Sequence, residues 1–123
     1  MMNEKPLGTV ELRFAEIIWR HAPLSSSELV RLCASELGWK KSTTYTVIKK
    51  LCEKGYIQND DATVRVLIPK AQAQTNESTY FVERTFDGSL PSFVAAFLGG
   101  RTITEEEAKQ LRKMIREHVE KES

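Results

Sequence analysis

Between Trp39 and Gly55 the chain reads WKKSTTYTVIKKLCEKG, with five lysines against a single acid, Glu53. Wound into a helix, this stretch divides into two faces. Thr44, Val47, Ile48, Leu51 and Cys52 recur at helical spacing and form an inward face. The opposite face holds Ser42, Thr43, Tyr45, Thr46, Lys49, Lys50 and Glu53, with Lys40 and Lys41 at the amino end. Lysine neutralises phosphate and releases its counterions. Threonine and serine hydroxyls, threonine methyls and a tyrosine ring edge suit contact with base edges. Backbone N–H groups at the helix start favour an anion as well. These residue types fit contact with a polyanion rather than bond-making chemistry.

Catalysis finds little support elsewhere in the sequence. His21 and His118 lie far apart, and neither has a nucleophile and acid arranged around it. The acids of TEEE, Thr104 to Glu107, read as a helix cap, and Ser25, Ser26 and Ser27 as a cap with a phosphate contact. Cys33 and Cys52 sit in apolar helical patterns and read as reduced, buried thiols; two such ligands without a nearby histidine make a poor metal site. No cofactor, no metal and no enzymatic activity are expected.

The elements that must position the basic face follow from pattern. Thr9 is a candidate cap for a first helix over about residues 10–20, in which Leu12, Ala15, Ile18 and Trp19, with Val10, Phe14 and Ile17, make a broad buried stripe. Pro23 stops it. Ser25 and Glu28 are spaced as a capping box for a second helix carrying Leu29, Val30, Leu32, Cys33 and Leu37, and Gly38 ends it. Only GWKK separates this from the third helix, capped near Ser42 and ended by Gly55. Tyr56 and Ile57 begin an extended run, NDDA is turn chemistry, and Thr63 to Ile68 is a second extended run interrupted by Arg65. Three helices, a short second connection and a hairpin are the order of a winged helix-turn-helix, in which the third helix enters the major groove of DNA. The expected fold is therefore mainly α with a small β-hairpin. Arg65, on the hairpin, is placed to reach the adjacent DNA backbone or minor groove. A solvated lysine face, or a winged helix that binds protein and not DNA, remains the alternative.

The composition changes over KAQAQTNES, residues 70–78, the candidate boundary between a DNA-binding domain, 1–72, and a helical domain, 73–123. Charge changes with it: residues 1–70 hold 11 Lys/Arg against 8 Asp/Glu, residues 71–123 hold 7 against 9. The basic surface is thus local to one helix of a nearly neutral chain. Three further helices are expected over about 76–86, 90–98 and from the Thr104–Glu107 capping box onward. Their apolar residues, Tyr80, Phe81, Phe86, Leu90, Phe93, Val94, Phe97, Leu98, Leu111 and Ile115, are too many for one thin layer to bury, and the helices are too short to stand alone. This lobe is expected to pair with its own copy in a two-fold dimer, presenting two third helices to a palindromic site. No apolar run is long enough to span a bilayer and the first residues lack a secretory pattern, so a cytoplasmic protein without membrane insertion is expected.

ELRFAEIIWRH, SSSELVRLC, GWKKSTTYTVIKKLCEKGYI and FDGSLPSFVAAFL together resemble the penicillinase and methicillin-resistance repressor family, the BlaI/MecI/CopY type, over about residues 7–120. The resemblance implies a dimeric repressor binding an inverted-repeat operator in a resistance or metal-homeostasis operon. In many members it is paired with a membrane metalloprotease sensor whose signal leads to cleavage of the repressor. Carried onto this chain, DNA contact falls on Lys40, Lys41, Ser42, Thr43, Tyr45, Thr46, Lys49 and Lys50, with Arg65 on the wing, and dimerisation on Tyr80 onward. The β-lactam branch is cut at an Asn-Phe bond, where this chain has Ala96 and Phe97. The copper-responsive branch carries carboxy-terminal Cys-x-Cys motifs, whereas no cysteine follows Cys52 here, so Cu(I) sensing by that route is not expected. The wing carries DDATVR in place of the family's frequent Gly-Arg pair.

Overall fold

A computed structural model describes residues 6–120, so the ends of the chain, 1–5 and 121–123, lie outside the described residues. The elements run α1 (Thr9–His21), β1 (Leu24–Ser25), α2 (Ser26–Leu37), α3 (Lys41–Glu53), β2 (Ile57–Asp60), β3 (Thr63–Val66), α4 (Lys70–Phe86), α5 (Leu90–Leu98) and α6 (Glu105–His118). The strands form one antiparallel sheet in the order β1-β3-β2. The fold is a winged helix-turn-helix followed by three helices, mainly α with a small sheet.

The core lies under α3. Phe14, Ile17 and Ile18 of α1, Leu29 and Cys33 of α2, and Thr44, Ile48 and Leu51 of α3 are buried together with Tyr56, Ile57 and Val64 of the wing. Trp39 stacks on Phe14 with ring centroids 5.4 Å apart. Each fully buried large aliphatic or aromatic side chain contributes about 1.5–3 kcal/mol, so α3 is held mainly by its inward face. Thr44, the polar member of that face, donates its hydroxyl to the Lys40 carbonyl at 3.3 Å. Gly38 ends α2 with φ 69, a left-handed conformation that costs glycine nothing.

Several local expectations are corrected. Gly8, not Thr9, is the N-cap of α1; its N–H donates to Glu11 Oε1 at 3.0 Å, and a glycine cap leaves no side-chain signal to read. Val10 is exposed at the edge of the α1 stripe. α3 begins at Lys41 with Lys40 as its cap, so Ser42 lies inside the first turn; backbone bonds suffice there without a side-chain cap. Ser25 does cap α2, accepting from Glu28 N–H at 3.0 Å, but the Glu28 carboxylate pairs with Arg31. β1 was not anticipated: two residues carry no alternation, and only its pairing of Leu24 with Val64 and Ser25 with Thr63 defines it. The hairpin turn is Asp61–Ala62, with φ 52 and 61, the left-handed pair that a two-residue hairpin requires.

α4 starts six residues earlier than expected, directly after Pro69. The polar stretch 70–78 is its first half, and Ala73 packs into the winged-helix core. The join is tied further by Trp19 Nε1–H donating to the Ile68 carbonyl at 3.1 Å. α5 matches its expected bounds, and Thr104 and Glu107 form the expected reciprocal capping box of α6, at 3.0 and 3.3 Å.

Candidate nucleic-acid interface

The buried face of α3 fixes which residues it presents outward. Lys41, Ser42, Thr43, Tyr45, Thr46, Lys49 and Lys50 are exposed along one helix, with exposed Lys40 at its cap. Arg65 is exposed on β3, paired across the hairpin with Gln58. Seven of the nine expected contact residues thus lie on α3, the eighth caps it, and the ninth sits on the wing.

Hydrogen bonds divide the labour within that face. Thr46, an exposed residue, donates its hydroxyl to the Ser42 carbonyl at 3.0 Å, which leaves the hydroxyl oxygen to accept. Tyr45 donates its hydroxyl to Ser26 Oγ at 3.3 Å, which leaves the ring edge for an outside contact. Lys54, counted with the basic stretch, faces elsewhere: its Nζ donates to Glu11 Oε1 at 2.6 Å and to the Pro6 carbonyl at 3.3 Å. Burial raises the Glu11 pKa, but the Lys54 and Gly8 hydrogen bonds, with Lys50 adding attraction, outweigh it and leave the pKa below its usual 4.5. This clasp pins the end of α3 to the start of α1. Neither Glu11 nor Ser26 carries a sequence signal for its role; only the packing of distant elements reveals it.

Both cysteines are free thiols, Cys33 buried as expected and Cys52 only half-buried. Burial pushes the Cys33 pKa up to about 11 and also raises that of Cys52, so both are protonated at neutral pH. Among the described residues no group of three or more His, Cys, Asp or Glu side chains is gathered in a metal-holding cluster, and no helix is long and apolar enough to cross a membrane.

The second lobe presents apolar surface. Phe81, Phe86 and Phe93 meet edge to face at 5.6–6.0 Å, and Phe97 joins them through Phe93. Beyond Ala73 no described residue is buried: Phe86, Phe93 and Leu98 are half-buried, and Tyr80, Phe81, Leu90, Val94, Phe97, Leu111 and Ile115 are exposed. A groove of about 360 Å³ between α5 and α6 is lined by Phe93, Phe97, Ile103, Leu111 and Met114. Ala96 and Phe97 are both exposed on α5.

Comparison with known proteins places these features in company. The family model described as Penicillinase repressor matches residues 7–117. The Bacillus licheniformis penicillinase repressor is 26% identical over 120 residues, 91% of each chain. The methicillin resistance regulatory protein MecI of Staphylococcus aureus (strain Mu50 / ATCC 700699) is 22% identical over 113 residues, 89% of this chain and 92% of that one. A MarR/EmrR family transcriptional regulator from Acinetobacter sp. ADP1 superposes with a TM-score of 0.39 at 22% identity, covering 90% of this chain and 72% of that one, too loosely to bear on the fold.

Proposed function

Because the chain belongs to the penicillinase repressor family, we propose that it is a dimeric transcriptional repressor that binds an inverted-repeat operator in double-stranded DNA. The observation that carries this reading is the outward face of α3, where lysines flank threonine, serine and tyrosine on a helix whose other side is locked into the core. Lys40, Lys41, Lys49, Lys50 and Arg65 neutralise phosphates; Ser42, Thr43, Thr46 and the Tyr45 ring edge meet bases. Residues 1–72 belong to the DNA-binding unit and 73–123 to the dimerisation unit, with the boundary inside α4, where Ala73 still packs on the winged-helix core. The exposed apolar surface of the second lobe supports pairing: a monomer rarely leaves a patch of that kind open.

The protein works in the cytoplasm, without catalysis and without a cofactor. Its operator lies before a resistance or stress operon. The inducing signal reaches it indirectly from a membrane metalloprotease sensor, and the bond at the family's cleavage position is Ala96–Phe97. That bond is helical within α5, so a protease must unwind α5 before it cuts.

A salt titration tests DNA binding. Neutralising about six phosphates gives a log–log slope of about −5 for the binding constant against salt. A flat dependence, with capture of a protein partner instead, would replace this reading with that of an interaction module.

A further inference from the structure

One buried polar residue joins the two elements that would meet DNA. Ser26, the first residue of α2, is 4% exposed. Its backbone N–H donates to the Ala62 carbonyl at 2.9 Å, at the hairpin turn of the wing. Its hydroxyl accepts from the Tyr45 hydroxyl on α3 at 3.3 Å. A buried hydroxyl requires a partner, and Tyr45 supplies one. Ala62 in turn is held at φ 61, next to Asp61 at φ 52, so the carbonyl that Ser26 engages belongs to a turn with few alternative conformations. The preceding residue, Ser25, is already paired with Thr63 in the sheet. Beside the direct packing of β2 against α3, Ser26 therefore bridges the wing turn and the outward face of α3, the one through its amide and the other through its side chain.

We propose that Ser26 is a positioning residue for DNA recognition: it registers the wing turn against α3, and the Tyr45 hydroxyl serves this latch instead of reading a base. The inference deepens the DNA-binding reading and rests on it. Tyr45 touches DNA with its ring edge alone, and its hydroxyl acts on specificity only through Ser26. Loss of either hydroxyl lets α3 and the wing shift relative to one another. Non-specific attraction through the lysines is untouched, because their charge does not depend on that register.

The test takes the duplex that the full-length wild-type chain enriches from a random-sequence pool, and a scrambled duplex of equal length. Affinities are measured for wild type, Ser26→Ala, Tyr45→Phe and the double variant. The expected result is a loss of about three- to tenfold on the enriched duplex for each single variant, no change on the scrambled duplex for Ser26→Ala, and no further loss in the double variant. Repeated enrichment with either variant should broaden the same base positions, which a purely structural role would leave unchanged. Broadening with Tyr45→Phe but not with Ser26→Ala overturns the latch and assigns the hydroxyl to a base. Additive losses, or wild-type behaviour of Tyr45→Phe, overturn it too. Should Ser26→Ala fail to fold, Tyr45→Phe alone decides: wild-type base preference sinks the proposal, and broadening combined with raised hydrogen exchange at the Ser26 amide supports it. A wild-type chain that enriches no duplex brings down the DNA-binding reading along with the latch.

Discussion

Lys49 and Lys50 follow one another on the exposed side of α3, while Leu51 beside them is fully buried. This is how one helix serves two ends: the aliphatic residue fixes the rotation that makes the two ammonium groups available. Lys49→Ala and Lys50→Ala should each weaken binding to every duplex alike and reduce the salt slope by about one, read by fluorescence anisotropy across a salt series. Thr46→Ala should behave differently. Its loss falls on particular base pairs, by roughly 1–3 kcal/mol per good contact, and shows as relaxed preference among variant duplexes at fixed salt. The outward placements of these residues were legible because residue type and spacing carry them. The contacts of Ser26 and Lys54 were not, since each depends on a partner 19 or more positions away that only folding brings near.

At the scale of elements, the clasp between α1 and α3 and the wing turn each have a measurable consequence. The Glu11 pKa is lower in the folded chain than its usual 4.5, so the clasp stabilises the fold fully above that value and loses its effect as pH falls through the folded pKa. Glu11→Gln should cost about 1–3 kcal/mol in urea melts at neutral pH, and the gap to wild type should close as the pH is lowered below 4.5. In the wing, Ala62 holds φ 61 where glycine is the natural occupant. Ala62→Gly should raise stability by about 0.5–1 kcal/mol, the relief of left-handed strain exceeding glycine's entropy cost, with the Ser26–Ala62 bond retained. Strong periodicity made α5 and the inward face of α3 readable from sequence. The start of α4 was hidden because KAQAQTNES has too few apolar residues to show a helical stripe; a single alanine, Ala73, anchors that half of the helix. β1 was hidden because its two residues gain strand geometry only from Val64 and Thr63 across the sheet.

At the scale of the whole molecule, buried residues end at Ala73 while aromatic surface continues to Phe97. Phe93→Asp should convert the proposed dimer to a monomer in sedimentation velocity, lower and flatten the concentration dependence of Tm, and abolish tight binding to a palindrome while half-site contact persists. The sequence indicated the excess of apolar residues in this lobe but not the route by which the lobe is joined to the wing. That route is α4, whose 17 residues run unbroken from Lys70 to Phe86 over about 25 Å. In the proposed pair such a rod acts as a phase shifter. One residue inserted after Asn76 would turn each recognition helix by about 100° about the rod and take it out of step with its half-site. Seven residues would restore the phase to within about 20° and lengthen each rod by about 10 Å. Operator choice would then follow a ruler with a helical pitch: binding lost at one added residue and regained at seven, on half-sites set farther apart.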